Sequence, residues 1–256
     1  MSTAAPPSFP RRRESTAVRA LDSRLRGNDG ALTQTHYFVT GTDTEVGKTL
    51  VSCALLLHLR KRHARVVGMK PVAAGTTPDG DNEDAQALRE AGSIRVTREL
   101  DNPYCLPLPM SPHLAARAAG QRIEVSVIVD RYRQLAAQAD AVIVEGAGGF
   151  HVPLNERETG ADLAVALGLP VVLVVGLRLG CLNHALLTQE AILSRGLTLA
   201  GWVANRIDPQ MQGQDDNIAT LCERLRAPLW ADIPRLSQAR PDFVQWQPHA
   251  VGHPIR

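Results

Sequence analysis

From Tyr37 onward, short runs of consecutive apolar residues alternate with longer stretches of helical periodicity. The apolar runs predict strands at Tyr37–Thr40, Val66–Lys70, Ala141–Glu145, Val171–Val175, Leu199–Asn205 and Leu229–Ile233. The periodic stretches predict helices at Lys48–His63, Glu83–Ala91, Val125–Gln138, Ala161–Leu167, Leu182–Arg195 and Asp215–Leu225. Uninterrupted apolar strands are typical of parallel sheets that are covered on both faces. The pattern therefore predicts a single α/β domain with a doubly wound parallel sheet flanked by helices.

Composition supports a globular protein of modest charge. The 256 residues are 44% hydrophobic and 21% charged, and the formal net charge is +2. Residues 1–30 contain six arginines and three acids, a net of +3, which leaves −1 for residues 31–256. This balance argues against nucleic acid or an acidic membrane as a partner. No apolar run approaches 18 residues, and four scattered cysteines suit a reduced, cytoplasmic protein.

The basic N-terminal segment lacks helical or strand periodicity. We interpret residues 1–35 as a disordered, non-functional extension, with an organellar transit peptide or a nucleic-acid-binding arm as alternatives. Its deletion is expected to leave activity intact. Residues 36–236 are expected to form the domain, and residues 237–256 a C-terminal tail.

Glycine-rich segments follow several predicted strands at the edge of the sheet where ligands bind in such folds. The first is Gly41-Thr-Asp-Thr-Glu-Val-Gly-Lys-Thr49, which opens a helix. Gly47 would allow close backbone approach to a phosphate, Lys48 would reach the β- and γ-phosphates, and Thr49 would bind Mg²⁺. The first glycine lies one residue early for the common spacing, with Thr42 in its usual place. The motif predicts phosphate binding by a P-loop.

Lys70 and Glu145 each close a predicted strand at that same edge. Only Lys48, Lys61 and Lys70 are lysines among 28 basic residues, so a strand-end ammonium is unusual here. We predict that Lys70 meets a phosphoryl group or carboxylate, although a partly buried surface lysine is the alternative. A carboxylate ending a strand in a P-loop protein is the usual second Mg²⁺ anchor, although Glu145 could be an exposed residue of a glycine-rich turn. Asp84, taken by itself, favours a solvated turn or helix cap.

Two further strands end in candidate binding residues. Gly176-Leu-Arg-Leu-Gly-Cys-Leu-Asn-His184 opens a helix whose free N–H groups could bind a carboxylate, and His184 could be an acid, a base or structural. The amide of Asn205 could bind an adenine edge, but it could equally cap a turn.

These motifs occur in an order that closely resembles ATP-dependent dethiobiotin synthetases. The segments are Gly41–Thr49, Gly68–Val72, Val144–Gly149, Gly176–His184 and Gly201–Asn205, with Asn102-Pro-Tyr104 and Ser111-Pro-His113 between them. The resemblance covers about residues 36–236. It implies carboxylation of 7,8-diaminopelargonate by CO₂, phosphorylation of the carbamate by Mg·ATP, and closure of the ureido ring to give dethiobiotin, ADP and phosphate.

The resemblance also implies a set of site residues. Lys70, Lys48 and Thr44 would be catalytic, and Thr49, Asp84 and Glu145 would hold Mg²⁺. The implied nucleotide-binding residues are Glu45, Val46, Gly47, Lys48, Thr49, Leu50, Asp84, Glu145, Gly146, Ala147, Gly148, Asn205, Arg206, Pro234, Arg235 and Leu236. The implied substrate-binding residues are Thr44, Lys70, Ala74, Gly180, Cys181, Leu182 and Asn183, the last four contributed by the partner of a homodimer. Ala74 departs from the family, which commonly has Ser there.

Other classes fit the sequence less well. Dimeric ATPase switches of the ParA and MinD kind carry a lysine early in the phosphate loop, where this chain has Asp43. An amidoligase of cobalamin synthesis would need a glutamine-hydrolysing domain, for which the chain is too short. A pure nucleotide-binding module would not need Lys70 or the loop at Gly180–Asn183.

Overall fold

The computed structural model describes residues 35–248, 250 and 251. Its strands are β1 (Thr35–Gly41), β2 (Val66–Met69), β3 (Val72–Ala74), β4 (Tyr104–Leu106), β5 (Ala141–Gly149), β6 (Val171–Gly176), β7 (Leu199–Asn205) and β8 (Leu229–Ile233). Its helices are α1 (Lys48–Leu59), α2 (Glu83–Ala91), α3 (Arg98–Asp101), α4 (Pro112–Ala118), α5 (Val125–Ala136), α6 (Gly160–Leu167), α7 (Cys181–Ser194) and α8 (Gln214–Arg224), and Pro241–Phe243 form a 3₁₀ turn.

Six strands form one parallel sheet in the order β2-β5-β1-β6-β7-β8. The strand order reverses beside β1, which pairs with β5 on one side and β6 on the other. Ligands of open α/β sheets bind beyond the carboxyl ends of the strands at such a reversal. The phosphate-loop segment Gly41–Thr49 leaves β1 at this point, so the predicted fold class is confirmed and the predicted loop lies in the expected place.

Both faces of the sheet are covered, as the continuous apolar strands predict. Alternate residues of β1 belong to different hydrophobic clusters, with Phe38 in one and Tyr37 and Val39 in the other. Every residue of β6 and of β7 is buried. Strands flanked by helices on both sides gain from apolar side chains in either orientation, which explains why they do not alternate with polar residues.

Several predicted boundaries are wrong. The sequence predicted a strand ending at Glu145, but β5 continues to Gly149, where it pairs with Gly41. The alternative, an exposed Glu145 in a glycine-rich turn, is also wrong, since Glu145 is buried within the strand. Helix α1 ends at Leu59 rather than His63. Prediction missed β3 and β4, which form a separate two-stranded parallel sheet, together with α3 and α4. These elements have seven residues or fewer, too few for periodicity to reveal them.

Several described residues beyond Leu236 pack on the face of the sheet that α1 covers. Trp246 meets His58 edge-to-face with ring centroids 5.9 Å apart, and Ala250 and Val251 are buried in the hydrophobic cluster on that face. The interpretation of residues 1–35 as an extension is wrong for Thr35, which begins β1, and for the rest it falls outside the described residues. Within the described part of the chain, no helix is long and apolar enough to cross a membrane.

Candidate functional site

A cavity of about 670 Å³ opens at the carboxyl ends of β1, β2 and β5. Eleven of the predicted site residues line it: Thr44, Glu45, Gly47, Lys48, Thr49, Lys70, Ala74, Asp84, Glu145, Ala147 and Gly148. Its volume lies in the range of small-molecule sites. The structure thus brings residues from four separate segments of the chain to one cavity.

The phosphate loop has the backbone conformation that anion binding requires. Glu45 and Gly47 both have positive φ, 59° and 91°, and α1 begins directly after Gly47. A Cβ on residue 47 would lie 2.2 Å from Nδ2 of Asn205, so only glycine fits this position. Since α1 has no acidic residue in its first turn, its N-terminus keeps its positive potential for a phosphate.

Lys48 is nearly buried and folds back on its own loop. Its Nζ donates to the backbone oxygen of Asp43 at 2.9 Å, and the residue is 7% exposed. Burial, together with the nearby charge of Lys70, lowers the pKa of Lys48 to about 8 against the opposing effects of Glu145, Asp84 and Asp43. An anion in the cavity would favour the charged form of Lys48 by pairing with it.

Lys70 joins the two carboxylates of the site. Its Nζ lies 2.5 Å from Oε1 of Glu145 and 2.8 Å from Oδ2 of Asp84. Burial by itself lowers the pKa of Lys70, but the charges of Glu145 and Asp84 outweigh it and raise that pKa. The pKa of Asp84 falls because the charge of Lys70 and its hydrogen bonds to Lys70 and Thr49 exceed the effect of burial. Lys70 and Asp84 are therefore charged at neutral pH.

Thr49, Asp84 and Glu145 place three oxygens close together. Oγ1 of Thr49 lies 2.8 Å from Oδ1 of Asp84 and 2.9 Å from Oε1 of Glu145. Glu145 is fully buried, and its Oε2 has no hydrogen-bond partner among the described residues. In the described ranges no cluster of three or more His, Cys, Asp or Glu residues could hold a metal by itself. One hydroxyl and two carboxylates still fit Mg²⁺, which takes few protein oxygens and completes its shell with water and phosphate.

The remaining predicted nucleotide residues do not line this cavity. Asn205 is buried, and its Nδ2 donates to the backbone oxygen of Val46 at 2.9 Å. Arg206 pairs with Asp232 at 2.7 Å and Asp215 at 2.6 Å, and Arg235 donates to the backbone oxygen of Ile207. The basic side chain of Arg206 is thus neutralised within the fold. The hydrophobic cluster that contains Tyr37 and Val39 also includes Val46, and Leu50 and Leu236 pack against it. Gly146 lies against the ring of Phe38.

The segment Gly180–Asn183 lies away from the main cavity. Gly180 precedes α7 with a φ of 97°, Cys181 is buried, and Asn183 is exposed. A second, shallower cavity of about 440 Å³ lies beside α7 and includes Thr44 and His184. Thr44 faces both cavities, so it is the predicted residue that connects them.

Sequence reasoning missed several lining residues. Asn82 caps α2 by accepting from the N–H groups of Asp84 and Ala85, so the cap is Asn82 and not Asp84. Pro109, Met110, Ser111 and Pro112 form one wall of the main cavity. The Ser111-Pro-His113 motif was a signal for this wall, although it gave no role. Arg178 pairs with Asp43 at the phosphate loop, and no sequence signal indicated this contact.

Comparison with known proteins agrees with this geometry. Residues 35–242 match a family described as AAA domain. The ATP-dependent dethiobiotin synthetase BioD of Ralstonia nicotianae is 58% identical over 208 residues, 80% of this chain and 90% of that protein. The protein of the same name from Aromatoleum aromaticum is 53% identical over 211 residues, 81% of this chain and 94% of its own.

Solved structures share the fold at low identity. The signal recognition particle receptor FtsY of Elizabethkingia anophelis in complex with GDP has a TM-score of 0.52 at 14% identity, covering 83% of this chain and 60% of that one. The MinC:MinD cell division complex of Aquifex aeolicus has a TM-score of 0.50 at 15% identity, covering 79% and 82%. Identities this low show a common fold and nothing more specific.

Proposed function

From the premise that this chain belongs to the ATP-dependent dethiobiotin synthetase family, we propose that it converts 7,8-diaminopelargonate, CO₂ and ATP into dethiobiotin, ADP and phosphate. The observation that carries the proposal is the placement of Lys70. A buried ammonium lies between two carboxylates in a cavity continuous with the phosphate loop. Enzymes of this family are ligases, so the activity is an ATP-dependent cyclo-ligation.

The chemistry needs charge stabilisation more than proton transfer. One amine of the substrate takes up CO₂ to give a carbamate and releases a proton. A carbamate oxygen then attacks the γ-phosphorus and ADP leaves, which yields a carbamic–phosphoric mixed anhydride. The second amine attacks the carbamoyl carbon and loses a proton, phosphate leaves with the P–O–C oxygen, and the ureido ring closes. Phosphoryl transfer of this kind depends on positioning and cations.

The two cavity lysines would supply those cations. Lys48 would exchange its bond to the Asp43 carbonyl for the phosphates of ATP, since its ammonium is held by a single neutral acceptor. Lys70 would stabilise the carbamate and the transferring phosphoryl group. A lysine suits both positions because an ammonium is a compact charge that can follow a moving group.

Thr49, Asp84 and Glu145 would hold Mg²⁺, for which the orphaned Oε2 of Glu145 is an available ligand. When bound, Mg²⁺ neutralises the negative charge of the β- and γ-phosphate oxygens. The hydroxyl of Thr49 lies within hydrogen-bond distance of both carboxylates, and Glu145 is fully buried beside it.

The rest of the predicted site would divide between nucleotide and diamine. Glu45–Leu50 would surround the phosphates, Glu145–Gly148 would face nucleotide and substrate, and Asn205 would meet adenine with its Oδ1, since its Nδ2 is occupied by Val46. Arg206 and the segment Pro234–Leu236 would border the base. Thr44 and Ala74 would contact the diamine, and Gly180–Asn183 of the partner in a homodimer would bind its carboxylate. Four free cysteines suit the cytoplasm.

The decisive experiment measures phosphate release from Mg·ATP with diaminopelargonate and bicarbonate, omitting each in turn. The proposal expects release to stop when any one component is missing, with dethiobiotin formed in equal amount to phosphate. Release that continues without the diamine would contradict the proposal and favour a switch ATPase of the MinD kind. An Ala74→Ser variant, which restores the hydroxyl common in the family, tests substrate contact. A lowered KM for the diamine would support this contact.

A further inference from the structure

A buried ion cluster lies next to the site without lining the cavity. Arg89 of α2 donates from Nε and Nη2 to the two oxygens of Asp101, each at 2.8 Å. Its Nη1 lies 2.9 and 2.7 Å from the two oxygens of Asp81, and Arg98 reaches Asp81 at 2.9 Å. Asp81 and Asp101 are each 3% exposed. One guanidinium therefore binds two buried carboxylates that belong to different segments of the chain.

The first of these segments covers the open edge of the sheet at Lys70. Strand β2 is an edge strand, paired with β5 on one side only. Beyond its end, the N–H of Lys70 donates to the backbone oxygen of Asp101 at 2.7 Å, and its carbonyl accepts from Nδ2 of Asn102 at 2.6 Å. The backbone of Lys70 is thus held from its free side by the residues that Arg89 secures.

The second segment carries Asp84. Oδ1 of Asp81 accepts from the N–H of Asn82 at 2.9 Å, and Oδ1 of Asn82 accepts from the N–H groups of Asp84 and Ala85 at 3.1 and 3.2 Å. Nδ2 of Asn82 also donates to the carbonyl of Gly75 at 2.8 Å. Asp81 therefore orients the residue that caps α2 and places Asp84 at the beginning of that helix.

We propose that Arg89 is a positioning residue that sets the distance between Nζ of Lys70 and the carboxylate of Asp84, and through it the ability of the site to bind Mg²⁺ with ATP. The inference rests on the proposed function, since it assigns Lys70 and Asp84 to the phosphate site. Arg89 acts through Asp81 and Asp101, and it does not line the cavity in which ATP and Mg²⁺ would bind. Its rigid, planar fork can bind two carboxylates at once, which a lysine ammonium cannot do with the same geometry.

Variants of Arg89 test the proposal with a readout other than turnover. In the intact chain, Arg89→Gln and Arg89→Lys are compared with the unmodified protein for binding of a non-hydrolysable ATP analogue, by calorimetry with Mg²⁺ and with EDTA. We expect Arg89→Gln to lose most of the affinity that Mg²⁺ adds and to lower kcat at least tenfold, since a misplacement near 1 Å can cost about 10²-fold. The Mg²⁺-dependent affinity and the kcat of Arg89→Lys should lie between those of Arg89→Gln and those of the unmodified protein.

Controls separate positioning from stability. Arg65→Gln removes another Arg–Asp pair, at the opposite end of β2, and should leave the Mg²⁺ effect unchanged. Asp101→Asn keeps the shape and the backbone carbonyl of residue 101, so it decides the question if Arg89→Gln does not fold. Asp101→Asn should lower the Mg²⁺-dependent affinity and kcat, as Arg89→Gln does, but by a smaller factor. Unfolding temperatures confirm that each variant is folded during the assay.

The opposite result is also well defined. Folded variants of Arg89 or Asp101 that lower the unfolding temperature, but keep kcat and the Mg²⁺ effect within twofold of the unmodified protein, would show a purely structural cluster and overturn the proposal. Failure of the proposed function is distinguishable from this outcome. The unmodified protein would then lack diamine-dependent phosphate release, while analogue binding would still compare the variants.

Discussion

Two neighbouring strands carry an ion pair at each end, and the two pairs differ in almost every physical respect. Arg65 and Asp140 precede β2 and β5, and their side chains are 56% and 18% exposed. Lys70 follows β2 and Glu145 lies within β5, and their side chains are 6% and 0% exposed. The first pair faces water at the amino ends of the strands, and the second faces the cavity at the carboxyl ends.

The difference in exposure indicates a different role for each ion pair. An exposed pair gains little, typically ~0–1 kcal/mol, because water screens it. A buried pair loses the hydration of both charges, and the attraction between them often fails to compensate. The pair at Lys70 is therefore poorly explained by stability. Its location beside the phosphate loop explains it better, as a charged group kept ready for an anionic ligand.

The largest expected effect comes from breaking the buried pair. Lys70→Gln should lower kcat by roughly 10²-fold or more, since a charge directed at the transferring group is lost. It should also lower the free energy of unfolding by about 3 kcal/mol, because Glu145 stays buried without its cation. Steady-state kinetics and urea denaturation measure the two effects. Lys70→Arg serves as the control that keeps the charge, and it should lose turnover with a smaller loss of stability. Near-normal kcat in Lys70→Gln would refute the assigned role.

Glycines at the two ends of the sheet give a second contrast. Gly47→Ala puts a Cβ 2.2 Å from Nδ2 of Asn205 at a φ of 91°, so we expect at least about tenfold weaker binding of an ATP analogue in addition to lower stability. Gly168 ends α6 at the amino end of β6, with a φ of 65° and open space around its Cβ position. Gly168→Ala should cost only ~1 kcal/mol of unfolding free energy and leave nucleotide affinity unchanged. If Gly47→Ala and Gly168→Ala weakened binding of the ATP analogue equally, the assignment of Gly47 to the phosphate site would be contradicted.

Part of the loss of stability at acid pH should come from His36, near the amino end of β1. Burial, with a smaller contribution from His63, lowers the pKa of His36 from 6.5 to about 4 in the folded protein. The unfolded chain therefore takes up a proton at His36 before the folded protein does, and stability falls as the pH drops from 6.5 to 4. His36→Gln cannot titrate but can still bond to the hydroxyl of Tyr132, which lies 2.6 Å from Nδ1. Its unfolding temperature should fall less over this pH range, and an unchanged dependence would exclude His36 as the cause.

The smallest effect is expected from the exposed pair. Arg65→Gln removes the contact with Asp140 and should leave the free energy of unfolding almost unchanged, with kcat and KM also unchanged. Chemical denaturation at low and high salt measures the contribution, which should shrink further as salt screens it. A loss of unfolding free energy as large as that of Lys70→Gln would show that the exposed Arg65–Asp140 pair stabilises the fold as much as the buried pair does.

Prediction from sequence succeeded where the signal is local. Lys70 and Glu145 stand at the ends of apolar runs, so their meeting at one sheet edge followed from the parallel arrangement. Asp84 was harder, because the acidic stretch around it reads as a helix cap. The structure assigns the cap to Asn82 and directs Asp84 at Lys70 and Thr49. The cluster of Arg89, Asp81 and Asp101 gave no signal, because its members are brought together only by the packing of α2 against the segment around α3.

The sequence by itself determined the alternation of strands and helices, the parallel sheet and the phosphate loop, since each depends on residues close together in the chain. The tertiary structure decided the order of the strands, the extension of β5 to Gly149, the small sheet of β3 and β4, and the residues that hold Lys70 in place. The physical reason is that backbone groups at the edge of β2 need partners, and those partners come from residues about thirty positions later. Only the folded chain brings them to the strand.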